Sequence, residues 1–153
     1  MKFNANPDLP VQLIGNSLRI SQVLLNIYDN AIKFTQNGHV SINVDFQLHD
    51  NPHYINLLIE VTDTGIGMNS EQVAKIFDSF TQADGSTSRN YGGSGLGLSI
   101  VTQLVKLRQG SVTVESEENQ VSTFKVNIVL KKTNNNTKMI SKLSIPNSKL
   151  YYF

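Results

Sequence analysis

The amino-acid sequence predicts an α+β fold, a two-layer α/β sandwich in which helices cover one face of a mixed, mostly antiparallel sheet. The main observation is the order of the periodic segments, which follow one another as helix, hairpin, loop, helix and hairpin. Helices and hairpins segregated in this way pack as two layers around one core. The second observation is that single strands and helices do not alternate, which argues against a doubly wound nucleotide-binding fold.

Length and composition indicate one globular domain. A chain of 153 residues with 39% hydrophobic residues can bury a proper core. The net charge of +1 provides no field that would favour nucleic acid or an acidic membrane. The absence of cysteine excludes disulfides and thiolate metal sites. No apolar run is long enough for a membrane span or a signal peptide. We therefore expect a cytoplasmic domain with no direct contact to nucleic acid or membrane.

The first helix is predicted over residues 17–35. The residues before it read as extended or loop, with one possible short strand at 11–14. Asn16 or Ser17 can cap the helix, and Gly38 marks its end. Apolar residues recur near steps of three or four, as in an amphipathic helix, at Leu18, Val23, Ile27, Ala31 and Phe34.

The other elements follow from hydrophobic period and turn residues. Strands are predicted at residues 39–48, 54–62, 110–115 and 122–130, and helices at 70–77 and 95–108. The strands form two hairpins. The helix at 95–108 is expected to face the core with Leu98, Val101, Leu104 and Val105. A polar stretch at 78–94 reads as a long loop, which in a compact domain is more often functional than idle. We expect one domain over 1–130, followed by a linker or the start of another domain over 131–153.

One face of the first helix is polar in an informative way. Asn26, Asn30 and Lys33 stand at i, i+4 and i+7, so two amides and an ammonium share that face. Amide oxygens suit a hard cation, and the ammonium suits a phosphate. An ordinary solvated helix face remains an alternative.

Two glycine-bearing stretches add further candidate sites. Asp63, Gly65 and Gly67 follow a buried strand, where the carboxylate can accept a hydrogen bond from an exocyclic amine and the glycines let backbone approach a flat ring. An ordinary tight turn has the same pattern. Residues 91–98, YGGSGLGL, open a helix whose free amides suit a polyphosphate. This stretch is neither a P-loop nor a Rossmann fingerprint, and a flexible loop-to-helix junction is its alternative.

The three patterns together resemble the ATP-binding domain of sensor histidine kinases over residues 7–130. The motifs that carry the resemblance are similar to the family's N, G1, F and G2 boxes, and read QVLLNIYDNAIKFT, DTGIGM, IFDSFTQAD and YGGSGLGLSIV. The run FDSFTQADGSTSRNYGGSGLGL is most similar to the hybrid subclass, in which a receiver domain follows the kinase core. The resemblance implies the Bergerat-type fold shared with gyrase, Hsp90 and MutL, with a mobile lid over ATP.

The resemblance also implies a role for each motif residue. Asn30 would coordinate the Mg²⁺ that bridges the phosphates of ATP, Asn26 would assist it, and Lys33 would contact the phosphates. Asp63 would bind the adenine amino group above a pocket floor of Gly65 and Gly67. The triphosphate would be wrapped from the lid by Gly93, Gly95, Leu96 and Gly97.

The resemblance implies roles for four more residues, and three of them have an ordinary alternative. Arg89 would contact the γ-phosphate or stay solvated. Phe77 and Phe80 would anchor the lid or serve as core aromatics. Ser122 would make a water-bridged contact to adenine.

The sequence departs from the family pattern at two places. Asn90 stands where many members carry a second basic residue, which predicts a weaker attraction between lid and phosphates. Val121 occupies a glycine position of the family's last glycine-rich motif and lacks the same backbone freedom. Only Ser122 is carried over from that motif.

The phosphoacceptor of the family has no counterpart in this sequence. His39, His49 and His53 lie at predicted strand ends or turns, outside any His-Glu-x-x-x-Pro context, and read as surface histidines. The resemblance therefore implies, as partners, a phosphoacceptor-histidine (dimerisation) domain of the same parent protein and a receiver domain or response regulator. It further implies a cytoplasmic domain of a membrane-bound sensor.

Two other functions remain open from the sequence. An ATP-hydrolysing machine of the gyrase or Hsp90 kind uses a glutamate as general base one helical turn before the magnesium asparagine. Asn26 occupies that position here and has no basic oxygen, which argues against hydrolysis. A degenerate nucleotide-binding module that serves as an interaction surface is the second alternative, motivated by Asn90 and Val121.

Overall fold

The computed structural model describes residues 1–77 and 97–133. Within these ranges the helices are α1 (Ser17–Phe34), α2 (Ser70–Lys75) and α3 (Gly97–Lys106). The strands are β1 (Lys2–Ala5), β2 (Leu13–Ile14), β3 (Val40–Leu48), β4 (Tyr54–Asp63), β5 (Ser111–Ser116) and β6 (Ser122–Lys132). The described helices do not include one that is long and apolar enough to span a membrane.

The strands form one mixed sheet in the order β1-β3-β4-β6, and β2 and β5 both pair with the far side of β6. β1 is parallel to β3, and the other pairs are antiparallel. Both predicted hairpins, β3–β4 and β5–β6, are present. The predicted α+β fold with a mostly antiparallel sheet is confirmed.

The core lies between the sheet and the helices α1 and α3. Every second residue of β4 is buried, because alternate side chains of a strand point to opposite faces of the sheet. α1 contributes Val23, Ile27 and Ala31 to this core, and α3 contributes Leu98, Val101 and Val105. Leu104, also predicted to face inward, packs at the edge of the core.

The ends of α1 are set by side-chain and backbone hydrogen bonds. The side chain of Asn16 accepts a hydrogen bond from the Arg19 amide at 3.2 Å, so Asn16 is the N-cap. The helix ends at Phe34 with Thr35 as its cap, a little before the predicted end. Leu18 belongs to the apolar recurrence that predicts this helix, but its side chain is 73% exposed and does not join the core. Five residues separate Leu18 from Val23, which turns it about 140° around the helix axis.

The sheet includes residues at both ends of the described chain that were not predicted as strand. β1 lies in a segment that is predicted as extended or loop. Its four residues are all exposed and show no alternation of burial. β6 runs to Lys132, two residues past its predicted end, and Thr133 then donates to the Gln12 carbonyl at 3.1 Å. The domain boundary after residue 130 stays a prediction, and it falls inside β6.

Candidate functional site

The two asparagines of α1 lie against the first residue of α3. Asn30 Nδ2 donates to the Asn26 carbonyl oxygen at 2.9 Å, which holds its amide along the helix. A Cβ added at Gly97 would lie 3.4 Å from Asn26 Oδ1 and 3.9 Å from Asn30 Nδ2. The fold therefore joins the polar face of α1 to the beginning of α3, two motifs that are about 70 residues apart in the sequence.

Lys33 lies one turn further along α1. It is half-buried, and its Nζ lies 5.2 Å from the ring centroid of Phe34, within the range of a cation–π contact. The ammonium is thus held close to the C-terminal end of α1, where a positive charge also suits the helix dipole.

Asp63 ends β4 as a buried carboxylate with only 3% of its surface exposed. Its Oδ1 accepts a hydrogen bond from the Gly65 amide at 2.9 Å. Burial raises the pKa of this carboxyl group above its ordinary value, and the hydrogen bonds from Gly65 and with the Thr35 side chain partly oppose that rise. Asp63 therefore presents a desolvated, partly satisfied oxygen pair at the end of the central strand.

The turn after Asp63 is held between α1 and the β5–β6 turn. The Ile66 amide donates to the Phe34 carbonyl at 3.2 Å, and the Ile66 carbonyl accepts from the Asn119 amide at 2.7 Å. A Cβ at Gly65 would collide with the Phe34 carbonyl. Gly67 has φ +66°, and a Cβ there would collide with the Glu117 carbonyl. Both glycines are thus required by close backbone packing within the protein.

Ser122 lies directly beside Asp63 in the sheet. The two residues are register partners, and Ser122 pairs on its other side with Ser116. The two serine hydroxyls lie 2.9 Å apart, and Ser116 Oγ also accepts from the Met68 amide at 2.9 Å. A row of polar groups thus runs from the buried carboxylate across three strands.

Sequence reasoning missed three residues at this site, namely Thr35, Ser116 and Asn119. Ser116 could have been found from the register of the predicted β5–β6 hairpin, because a short turn places it opposite Ser122. Asn119 stands at the first glycine position of the family's last glycine-rich motif and has φ +61°, a left-handed conformation that asparagine tolerates, so the motif offered a signal for it. Thr35 carries no such signal, since its partner Asp63 is set by tertiary packing.

Several predicted residues lie outside the described part of the chain. These are Phe80, Arg89, Asn90, Gly93, Gly95 and Leu96. Phe77 is described, and its ring packs edge-on against Phe124 with centroids 6.5 Å apart. It therefore belongs to the edge of the core, which is compatible with either of its predicted roles.

The oxygen donors of the described residues suit a cation whose ligands come partly from the protein and partly from a bound substrate. Within residues 1–77 and 97–133, no three histidine, cysteine or acidic side chains come together as a metal cluster. The amide oxygens of Asn26 and Asn30 remain as candidate ligands. Mg²⁺ commonly takes one or two protein oxygens and completes its shell with phosphate oxygens and water, so these residues fit Mg²⁺ held together with a nucleotide.

Comparison with known proteins identifies the family. Residues 15–133 match the family of histidine kinase-, DNA gyrase B- and HSP90-like ATPases. The chain is 39% identical over 134 residues to the peroxide stress-activated histidine kinase mak2 of Schizosaccharomyces pombe, covering 86% of this chain and 6% of that protein. It is 42% identical over 123 residues to the hybrid signal transduction histidine kinase B of Dictyostelium discoideum, covering 80% of this chain and 6% of that protein.

A solved structure agrees with the sequence comparison. The crystal structure of full-length ShkA in complex with AMPPNP matches with a TM-score of 0.70 and 30% identity, covering 86% of this chain and 26% of that one. The chain thus spans a small part of the length of each of these relatives. It belongs to the family of histidine kinase-, DNA gyrase B- and HSP90-like ATPases, as an ATP-binding catalytic domain of the histidine kinase type.

Proposed function

We propose that this domain binds Mg²⁺-ATP and delivers the γ-phosphate to a histidine on a separate dimerisation domain of the same parent protein, as part of two-component signal transduction. The observation that carries the proposal is the closeness of the Asn26 and Asn30 amides to Gly97 at the start of α3. The fold thus brings candidate cation ligands close to a helix N-terminus, which favours phosphate. The match to the family of ATPases supports the same nucleotide.

In this proposal Asp63 recognises adenine. Its Oδ1 is occupied by the Gly65 amide, so Oδ2 would accept the hydrogen bond from the adenine amino group. Gly65 and Gly67 form the turn that shapes the pocket floor, and the buried Ser122 hydroxyl would hold a water between the sheet and the base. Discrimination then comes from a buried carboxylate that lacks one hydrogen bond when the amino group is absent.

The phosphates would lie between α1 and α3. Asn30 would hold Mg²⁺ with assistance from Asn26, and Lys33 would add a positive charge near the phosphates. Bound Mg²⁺ would neutralise charge on the bridging phosphate oxygens. Gly97 leaves open the space that a side chain would fill in front of the asparagines. The roles of Arg89, Gly93, Gly95 and Leu96 in covering the phosphates remain predictions.

One feature favours phosphate transfer over hydrolysis. Asn26 occupies the position that a general base would need, and an amide oxygen cannot take a proton from water at neutral pH. The chain's own histidines, His39, His49 and His53, all lie outside the His-Glu-x-x-x-Pro context of the family's phosphoacceptor.

The acceptor would therefore belong to another domain. We propose a phosphoacceptor-histidine domain of the parent protein as the first partner and a receiver domain or response regulator as the second. The relative from Dictyostelium discoideum is named a hybrid kinase, which supports a receiver in the parent. We further propose that the domain works in the cytoplasm as part of a membrane-bound sensor.

The test is a titration of the chain with ATP in the presence and absence of Mg²⁺. We expect binding that Mg²⁺ strengthens. Asp63→Asn should weaken ATP binding about 10- to 100-fold, because it places a donor opposite the adenine amino group. Asn30→Ala should remove the Mg²⁺ dependence.

Asn43→Ala serves as the matched control. Asn43 lies in β3, where its Oδ1 accepts from Asn4 on the sheet, and its loss should leave ATP binding unchanged. An absence of ATP binding at millimolar concentration would contradict the proposal. Steady ATP turnover by the domain alone would instead favour the hydrolysing class.

A further inference from the structure

The turn between α1 and β3 contains the one Asn-Gly pair of the sequence, Asn37-Gly38. Residues 36–39 are all exposed. No hydrogen bond joins the Asn37 side chain or the Gly38 amide to another residue in the part of the chain that the structure describes. Backbone that is exposed and not hydrogen-bonded changes conformation at little cost in free energy. The side chain of Asn37 can therefore approach the amide nitrogen of Gly38.

An asparagine that approaches the next amide nitrogen can react with it. The Gly38 nitrogen loses its proton to water and forms a bond to the side-chain carbonyl carbon of Asn37, and the side-chain nitrogen leaves as ammonia. The product is a five-membered succinimide ring, which water opens either to aspartate or to isoaspartate. Glycine favours the ring closure because it carries no Cβ beside the attacking nitrogen and adopts many backbone conformations.

Two other asparagines that precede a small residue are held away from this reaction. Asn16 and Asn69 are each followed by serine, and each is the N-cap of a helix. The side chain of Asn16 accepts from the Arg19 amide at 3.2 Å, and that of Asn69 accepts from the Gln72 amide at 3.0 Å. A side chain that bonds to the amide three residues ahead is turned away from the nitrogen of the next residue. The cap must therefore open before the ring can close.

The turn that contains Gly38 is joined to Thr64, the residue after Asp63. The His39 amide donates to Thr64 Oγ1 at 2.9 Å, and the Thr64 amide donates to the His39 carbonyl at 3.2 Å. A Cβ at Gly38 would collide with Thr64 Oγ1. Isoaspartate adds one carbon to the backbone directly before Gly38, so the turn has to shift against these contacts. Aspartate adds a charge and leaves the backbone unchanged.

We propose that Asn37 is a site of spontaneous deamidation, and that its isoaspartate product loosens the junction between the α1–β3 turn and Thr64. The reaction consumes one water molecule, releases one ammonia and needs no enzyme. Because Thr64 follows Asp63, a slow chemical change at the surface acts next to the buried carboxylate. The proposal does not depend on nucleotide binding.

Peptide mapping by mass spectrometry after incubation of the full chain at mildly alkaline pH tests the site. We expect aspartate and isoaspartate at Asn37 before any conversion of Asn16 or Asn69 is measurable. Asn37→Gln is the matched control, because its longer side chain would have to close a six-membered ring, and it should stay unmodified. An Asn37 that persists, or that reacts no faster than the two capping asparagines, would overturn the proposal.

Urea unfolding tests the effect of the product on the junction. The isoaspartate form, isolated by ion-exchange chromatography, should unfold at a lower urea concentration than the fresh protein, whereas incubated Asn37→Gln should show no change. Asn37→Asp carries the new charge without the extra backbone carbon and should unfold close to the wild type. Loosening of the junction would be refuted by an isoaspartate form as stable as the fresh protein. An Asn37→Asp variant that loses as much stability as the isoaspartate form would refute it too.

Discussion

Burial of the Asp63 carboxylate is unfavourable for folding but favourable for the proposed recognition of adenine. A carboxylate that is 3% exposed loses most of its hydration, and this is the main reason why its pKa is raised from the ordinary value of 3.8. Its hydrogen bonds with Gly65 and Thr35 only partly offset that loss. A buried acid that is expensive to ionise is understandable where a ligand supplies the missing hydrogen bond.

Asp63→Asn should therefore leave the domain at least as stable as the wild type at neutral pH. The sign follows from the raised pKa. Above about pH 4 the unfolded chain ionises first, so the folded state binds more protons and the free energy of unfolding of the wild type falls as pH rises. It stops falling above the pKa of the folded state. The variant does not titrate at this position, and its side-chain oxygen can still accept from the Gly65 amide.

Urea unfolding of both proteins from about pH 4 to pH 7 measures this difference, and contributions from the other groups cancel. The stability of Asp63→Asn relative to the wild type should increase over this range. Asp63→Ala is the control, since it also loses the hydrogen bond from Gly65 and should be less stable than Asp63→Asn throughout. A wild type that gains stability relative to Asp63→Asn as pH rises would mean that the folded protein lowers this pKa.

At the scale of elements, backbone hydrogen bonds tie the turn between β4 and α2 to the end of α1 and to the β5–β6 turn. Ile66 bonds to the end of α1 through its amide and to the β5–β6 turn through its carbonyl. Gly67 packs against the carbonyl of Glu117 in that second turn. These close backbone approaches depend on the absence of a side chain at Gly65, which packs against the end of α1, and at Gly67, which packs against the β5–β6 turn.

Two glycines of the proposed nucleotide site should therefore respond differently to alanine. Gly67→Ala forces a side chain into the left-handed region and against the Glu117 carbonyl, and should cost at least about 1 kcal/mol of the free energy of unfolding. Gly97→Ala meets Asn26 at an ordinary contact distance of 3.4 Å in the first turn of α3. It should be neutral or stabilise the domain by up to about 1 kcal/mol.

Urea unfolding measures the free energy of unfolding of both variants, and ATP titration measures the affinity of Gly97→Ala for the nucleotide. Loss of ATP affinity with intact stability would agree with phosphates lying over Gly97. A strongly destabilised Gly97→Ala, or a Gly67→Ala as stable as the wild type, would contradict the packing described for these elements.

At the scale of the whole molecule, the sequence predicts the parts of the fold that depend on local pattern. β3 and β4 alternate in burial as their sequences alternate in polarity, and this was enough for the hairpin. Asn26 and Asn30 could be placed on one face because helix spacing alone decides it. β1 was not predicted as a strand, since its parallel partner β3 is about 40 residues away and its own residues show no period.

In the candidate site, too, the residues set by local sequence pattern were predicted and those set by tertiary contacts were not. The two asparagines, Asp63 and Gly97 came from recognisable motifs, and their roles in binding stay predictions. Thr35 was missed because only the packed structure brings it to Asp63. Leu18 shows the limit of helical periodicity. An apolar residue that fits a helical pattern can still be exposed, as the side chain of Leu18 is.

The topology of the sheet predicts how stability is distributed over the whole domain. β4 has a hydrogen-bonded partner on both sides, and its inward side chains are fully buried. Among the residues that the structure describes, β1 is an edge strand of four exposed residues that pairs only with β3. Opening β1 therefore exposes little apolar surface, whereas opening β4 requires the core to come apart.

Native-state hydrogen exchange at increasing low concentrations of urea should show this contrast. Amides of β4 and of the paired part of β6 should exchange only through global unfolding, with a dependence on urea equal to that of the whole domain. Amides of β1 should exchange by local opening, faster and with little dependence on urea. β5 is also at an edge but carries the half-buried Val112 and Val114, so it should fall between the two. If β1 exchanged with the same urea dependence as β4, the edge strand would have to unfold only together with the core, and the single pairing with β3 would not account for its stability.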